Sequence, residues 1–70
     1  MLNVNEILDL AKNGIHSAKS IVELLEINKI GYEVLDADNM FDENDGMFNM
    51  IVDGLPEGES MYFYNGQYQD

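Results

Sequence analysis

Apolar residues recur at helical spacing near the start of the chain. The segment 3–14 carries an apolar stripe formed by Val4, Ile7, Leu8 and Ala11, and this spacing predicts an amphipathic helix. Asn3 or Asn5 is the candidate cap, because a side-chain oxygen there accepts an unpaired backbone N–H. Asn13-Gly14 predicts the end of the helix, with glycine in the left-handed position.

A second helix is predicted over residues 17–31. Its apolar stripe consists of Ile21, Leu24, Leu25 and Ile27. Ser17 is one candidate cap, and Ser20 with Glu23 is the other, since that pair has the capping-box spacing. Gly31 is expected to close the helix. The connection between the two helices is short, so they should pack as neighbours.

Strand-like patterns follow in the second half of the chain. Residues 32–37 predict a strand, because β-favouring Tyr32 and Val34 occupy alternate positions. Residues 60–69 predict a hairpin, because the dipeptide Asn65-Gly66 tolerates two positive φ angles in a type I′ turn. The second arm of that hairpin is short and is expected to fray or to form a stub.

Residues 47–55 fit two kinds of structure. Phe48, Met50 and Val52 alternate as in a strand, whereas the apolar positions also fit a helix capped by Asp45. We favour the strand, because β-branched residues here precede a turn that contains glycine and proline.

Together these elements predict an α+β fold, with an N-terminal αα-hairpin packed on a small antiparallel sheet of about three strands. The 70 residues make one domain at most. We divide it into a helical hairpin over 1–30 and an acidic, aromatic β region over 31–70.

Charge divides the chain at nearly the same point. The net charge is −11 at pH 7; residues 1–29 carry four acids and all three bases, and residues 30–70 carry ten acids and no base. All seven aromatic residues also lie in the second part. This asymmetry is a hint about partners rather than about fold.

Composition argues against several classes of function. The chain has no cysteine and one histidine, which excludes disulfides, thiol nucleophiles and zinc sites built from Cys and His. No apolar run approaches the roughly 20 residues that span a bilayer, and the N-terminus lacks the basic region of a signal peptide. We therefore expect a cytoplasmic protein, of the encoding cell or of a host cell. The shortage of Lys and Arg argues against direct contact with nucleic acid or membrane.

The segment 36–46, DADNMFDENDG, holds five carboxylates and no base. An EF-hand loop does not fit it, because placing Gly46 at the sixth position puts Phe41 at the first. A looser Ca²⁺ site from Asp36, Asp38 and Asp42 remains an alternative. We expect no metal and no cofactor.

The sequence predicts neither a DNA-binding protein nor an enzyme. The two helices fit the outline of a helix-turn-helix, but the second presents Glu23 and Glu26 where a DNA reader needs a basic stripe. His16 has no nucleophile motif nearby, and a chain of this length leaves little room for an enzyme-sized cleft. We therefore expect a protein that is not an enzyme.

Two stretches resemble glutaredoxins: AKSIVELLEINKIGYEVLDAD over 18–38 and YFYNGQY over 62–68. They are similar to the part of that family after its redox motif and near its second hairpin. The family's redox cysteines, first strand and C-terminal helix have no counterpart in this sequence, so the resemblance implies no site residue.

The anionic, aromatic half of the chain is typical of a binder of basic proteins. Carboxylates at alternate strand positions lie about 6.5–7 Å apart, a spacing similar to that of neighbouring phosphates along one nucleic-acid strand. Small acidic proteins that mimic nucleic acid, many of them carried by phages, resemble this composition. We predict a binding or inhibitor protein that occludes a basic, nucleic-acid-handling surface of a partner protein, with aromatic anchors. The predicted partner-binding residues are Asp36, Asp38, Phe41, Asp42, Glu43, Asp45, Tyr62, Tyr64 and Tyr68.

The alternative hypothesis is a non-catalytic structural or assembly module. Such a module would self-associate, as a homodimer for example, through exposed Met and Phe residues. The candidate contacts are Met40, Met47, Phe48 and Met50. In that case the acidic surface serves only to keep the protein in solution.

Overall fold

A computed structural model of the chain describes residues 1–37 and 46–69. These residues form two helices followed by a four-stranded antiparallel sheet, which confirms the predicted α+β fold with one strand more than expected. The elements are α1 (Val4–Asn13), α2 (Ala18–Ile27), β1 (Tyr32–Ala37), β2 (Met47–Val52), β3 (Met61–Tyr64) and β4 (Gln67–Tyr68). In this part of the chain, no helix has the length and apolar character of a membrane span.

Helix α1 begins with a capping box. The Glu6 N–H donates to Oδ1 of Asn3 at 2.9 Å, and the Asn3 N–H donates to the Glu6 carboxylate at 3.2 Å, so two unpaired N–H groups are satisfied. Asn3 is thus the cap residue, and it is one of the two candidates that the sequence predicted. Gly14 follows the helix at a φ of −151°. The left-handed conformation predicted for Gly14 is therefore wrong.

Helix α2 begins after Ser17, which is the N-cap residue in place of Ser20. The Ser17 side chain makes no capping hydrogen bond. At the other end, Lys29 has a φ of 57° and takes the left-handed conformation that follows the helix. The prediction that Gly31 closes this helix is therefore wrong.

The strands run in the order β1-β2-β3-β4, each antiparallel to its neighbour. Strand β2 accounts for the segment that fitted both helix and strand, so the strand prediction is confirmed. The predicted hairpin is confirmed as well. Asn65 and Gly66 have φ values of 50° and 80°, as a type I′ turn requires, and the second arm is two residues long.

The helices cover one face of the sheet and form the core with it. Alternate strand residues turn inward, namely Phe48, Met50 and Val52 in β2 and Met61 and Phe63 in β3. Against them pack the buried helix residues Val4, Ile7, Ala11, Ala18, Ile21 and Leu25. Large apolar side chains buried in this way stabilise a fold by about 1.5–3 kcal/mol each, so this layer accounts for the stability of the domain.

The connection between the helices covers one edge of the sheet. Ser17 forms an isolated antiparallel bridge with Gln67 of β4, and the Tyr68 N–H donates to the His16 carbonyl at 2.8 Å. The Ala18 N–H, at the start of α2, donates to the Gly66 carbonyl in the β3–β4 turn at 2.8 Å. The hairpin is therefore fixed to the helical layer by its backbone.

A candidate binding surface on the open face of the sheet

The sheet face that the helices leave uncovered is the candidate site. Burial alternates along β2 and β3, so the residues between the core positions point away from the helices. We call this surface the open face; its residues are Glu33, Asp36, Met47, Asn49, Ile51, Tyr62, Tyr64 and Gln67. Ile51, Tyr62 and Tyr64 are 42%, 38% and 50% exposed. The open face therefore combines large exposed side chains with polar and charged ones.

A β-bulge in β1 brings two carboxylates to this face. Regular alternation would place Glu33 and Asp36 on opposite faces, because they are three residues apart. Instead the register shifts at Leu35, so that Glu33 pairs with Ile51 and Asp36 pairs with Asn49. Since the bulge absorbs one residue, both carboxylates lie on the open face, two pairing positions apart.

Tyr62 and Tyr64 share the face with these carboxylates. Tyr62 is paired with Asn49, which is itself paired with Asp36, so the three side chains form one row across three strands. Tyr64 lies in the next row, opposite Met47. Because adjacent strands lie about 4.8 Å apart, an acid and an aromatic side chain fall within one small contact area.

The open face carries carboxylates and no cation. Oδ1 of Asn49 is not accessible from this face, although none of the described residues donates a hydrogen bond to it. When the neighbouring Asp36 carboxylate is ionised, it can accept hydrogen bonds but cannot donate them. All three bases of the chain, Lys12, Lys19 and Lys29, belong to the helical part. The face is therefore complementary to a surface rich in donors and positive charge.

The residues on either side of the segment 38–45 lie at one end of the sheet. Ala37, which precedes it, pairs with Phe48. Gly46, which follows it, accepts the Asn65 N–H at 2.8 Å and donates its own N–H to Oδ1 of Asn65 at 3.1 Å. Residues 38–45, with their four carboxylates, are thus joined to the sheet at the end where Tyr64 lies.

The structure places the predicted partner-binding residues in three groups. Asp36, Tyr62 and Tyr64 come together on the open face. Tyr68 lies on the helix side of the sheet, partly buried, with its ring centre 5.5 Å from that of Phe63. Outside the described residues lie Asp38, Phe41, Asp42, Glu43 and Asp45.

Two of the contacts predicted for self-association are buried. Met50 is fully buried and Phe48 is 5% exposed, so the prediction that they are exposed is wrong, because strand alternation turns both towards the helices. Met47 lies on the open face and is partly buried, and Met40 lies outside the described residues.

Sequence reasoning did not assign five residues of the open face to the predicted partner-binding surface: Glu33, Met47, Asn49, Ile51 and Gln67. The alternation within β2 contained the signal for three of them, because Met47, Asn49 and Ile51 occupy the positions between the core residues. No sequence signal indicated the bulge that moves Asp36 to the same face as Glu33.

No metal-binding group occurs within residues 1–37 and 46–69, where no three His, Asp or Glu side chains come together. Two of the three candidate Ca²⁺ ligands, Asp38 and Asp42, lie outside that range. His16 has a structural contact instead, since its Nδ1 donates to the Ala11 carbonyl at 2.7 Å. This hydrogen bond ties the helix connection to the end of α1.

Comparison with protein-family models, with curated proteins and with solved structures finds no match to this chain. Its function is therefore to be inferred from the geometry and charge of the open face.

Proposed function

We propose that this chain is a non-catalytic binding protein that occludes a basic, nucleic-acid-handling surface of a partner protein. The open face and the acidic segment 38–45 form the contact. One observation carries the proposal: the uncovered face of the sheet combines exposed tyrosines with carboxylates and has no cation. Such a face is complementary to a cationic surface.

The distribution of charge favours a cationic partner. Residues 30–70 carry ten acids and no base, and these acids repel one another in the free protein. A cationic surface relieves that repulsion and raises the association rate, by a factor on the order of 10 to 1,000 for steered encounters. The interaction is expected to weaken with added salt, because exposed charges are screened over about 8 Å at physiological ionic strength.

The tyrosines provide a contribution that salt does not screen. Tyr62 and Tyr64 occupy alternate positions of β3 and so project from the same face. A tyrosine buries about 150–250 Å² when it is fully covered, and tyrosine is enriched among the residues that dominate binding energy. We assign these two side chains as the anchors of the interface.

The spacing of the carboxylates supports mimicry of nucleic acid. Glu33 and Asp36 stand opposite Ile51 and Asn49, which are alternate residues, so the two carboxylates are about 6.5–7 Å apart along the strand. Neighbouring phosphates of one nucleic-acid strand have a similar spacing. A protein that neutralises phosphates with Lys and Arg meets two negative charges at a similar spacing on this face.

Affinity capture tests the proposal. The full chain is immobilised, a nuclease-treated lysate of the encoding or host cells is passed over it, and bound protein is eluted with rising salt or with a double-stranded DNA fragment. A matched column carries the Glu33→Lys, Asp36→Lys double variant, whose changes are on exposed positions.

We expect one basic, nucleic-acid-binding protein that elutes at moderate salt, that DNA displaces and that the variant column does not retain. Equal retention of the same proteins by both columns, or recovery of the bait alone, contradicts the proposal.

A further inference from the structure

The two edges of the sheet differ in what covers them. At the β4 edge, the helix connection pairs with the strand through Ser17 and Gln67. At the β1 edge, no strand of the described part lies beyond β1. An uncovered edge presents backbone N–H and C=O groups to which another chain can pair, and native proteins usually cover or blunt such edges.

The backbone of Val34 points outward at this edge. The Asp53 N–H donates to the Gly31 carbonyl at 2.9 Å, which makes those residues a hydrogen-bonded pair. Such pairs alternate with non-hydrogen-bonded pairs in an antiparallel ladder. The pair that contains Glu33 is therefore hydrogen-bonded, and the pair of Val34 with Met50 is not. The N–H and C=O of Val34 consequently face away from β2.

Apolar side chains accompany these outward backbone groups. Val34 and Leu35 are 42% and 51% exposed, and a depression of about 270 Å³ is lined by Val34, Leu35, Asp36 and Ala37. This volume is below the roughly 300–1,000 Å³ of typical small-molecule pockets.

The negative charge near this edge favours a basic chain segment over a second copy of the protein. A second copy that paired antiparallel with this edge would bring its own Glu33 and Asp36 close to the same two residues of the first copy. Like charges directly opposite are destabilising, and each copy carries a net charge of −11. A basic segment places Lys or Arg near the same two carboxylates, so its charge is complementary there.

We infer that the outer edge of β1 binds an extended basic segment of the partner as an added strand. Backbone hydrogen bonds then provide affinity, and alternate side chains provide specificity. The inference rests on the proposed function only for the sign of the partner's charge.

The test uses two capped peptides and the isotope-labelled full chain. One peptide is Lys-Val-Lys-Val-Lys-Val-Lys-Val; the other has the same sequence with every backbone nitrogen methylated, so it keeps the charge and side chains but donates no backbone N–H. We expect the unmethylated peptide to bind about tenfold more tightly and to slow hydrogen exchange at the Val34 amide.

A pair of variants gives a second measurement. Val34→Pro removes the outward N–H at an edge position that tolerates proline, whereas Val34→Thr keeps it. We expect the first to lose about tenfold in peptide affinity and the second to stay within about twofold of the unsubstituted chain.

Equal affinity of the two peptides, absence of binding by both, or slowed exchange confined to β3 would overturn the inference. If the peptides bind equally, pairing at the edge fails while the charge-based function stands. Failure of the proposed function itself is recognised separately, by a captured partner that DNA does not displace.

Discussion

The two faces of the sheet are built from alternating residues of the same strands, yet their compositions are opposite. On β3, Met61 and Phe63 are fully buried, whereas the adjacent Tyr62 and Tyr64 are exposed. Within the described residues, the buried side chains include no polar or charged group, while the open face carries carboxylates and no cation. The covered face therefore accounts for stability, and the side chains of the open face can serve binding without loss of the core.

This division predicts opposite responses from adjacent residues. Phe63→Ala removes a fully buried ring. This ring packs edge-on against those of Phe48 and Tyr68, with ring centres 6.1 Å and 5.5 Å apart. The loss in the free energy of unfolding is expected to be about 3–5 kcal/mol. Tyr62→Ala, one residue away, is expected to lower the free energy of unfolding by no more than about 1 kcal/mol. Urea unfolding followed by circular dichroism measures both.

Equal losses for the two variants would show that the open face also contributes to stability. If Phe63→Ala does not fold, Phe63→Leu leaves a smaller cavity and is expected to give a smaller loss in the same direction.

The close contact between α1 and the turn that follows β2 is tested with two glycines. Gly54 and Gly58 have φ values of 96° and 86°, but a Cβ at Gly54 would lie 2.8 Å from Cγ1 of Val4, whereas a Cβ at Gly58 meets nothing within 4 Å. Gly58→Ala is expected to cost about 1–2 kcal/mol from backbone strain. Gly54→Ala is expected to cost about 1–3 kcal/mol more from overpacking. Thermal unfolding compares them, and equal costs would contradict the tight packing at Val4.

The contribution of the acidic segment to binding is tested by charge reversal. Asp42→Lys with Glu43→Lys is expected to weaken partner binding by about 1–2 kcal/mol and to flatten its salt dependence. The control is Glu57→Lys with Glu59→Lys, the same charge change in the turn between β2 and β3, at the opposite end of the sheet. Binding titrations at several salt concentrations give both values. An unchanged affinity for the first variant would remove residues 38–45 from the interface.

The smallest effect concerns self-repulsion on the open face. Asp36→Asn removes one of the charges that repel each other, so it is expected to stabilise the free protein by about 0.5 kcal/mol or less at low salt while weakening binding. Thermal unfolding at low and high salt shows whether the gain disappears on screening. A loss of stability at low salt would assign Asp36 a structural role instead.

Much of the fold was predictable because its signals are local. Asn3 followed by Glu6 marks the start of α1, and Asn65-Gly66 marks the β3–β4 turn, because in each case a few adjacent residues determine the backbone conformation. The alternation in β2 similarly indicated a strand. These signals do not depend on distant partners.

The features that escaped prediction depend on contacts between distant segments. The bulge at Leu35 is defined by the pairing of β1 with β2. Gly31, predicted to end the second helix, instead pairs through its backbone with Asp53, whose N–H donates to the Gly31 carbonyl at 2.9 Å. Tyr68 is a different case: the two-residue turn at Asn65-Gly66 pairs it with Phe63, so its position on the helix side of the sheet could have been predicted.

The most direct test of the open face measures the affinity of the captured partner for three forms of the chain. These are the unsubstituted chain, the Tyr62→Ser, Tyr64→Ser double variant, and an Ile27→Ser control, whose side chain is 70% exposed on α2. We expect a loss of about 30-fold, or about 2 kcal/mol, for the tyrosine variant. We expect the affinity of the control to stay within about twofold of the unsubstituted chain. Unchanged affinity of the tyrosine variant, or a larger loss for Ile27→Ser, would contradict the assignment of the open face as the binding surface.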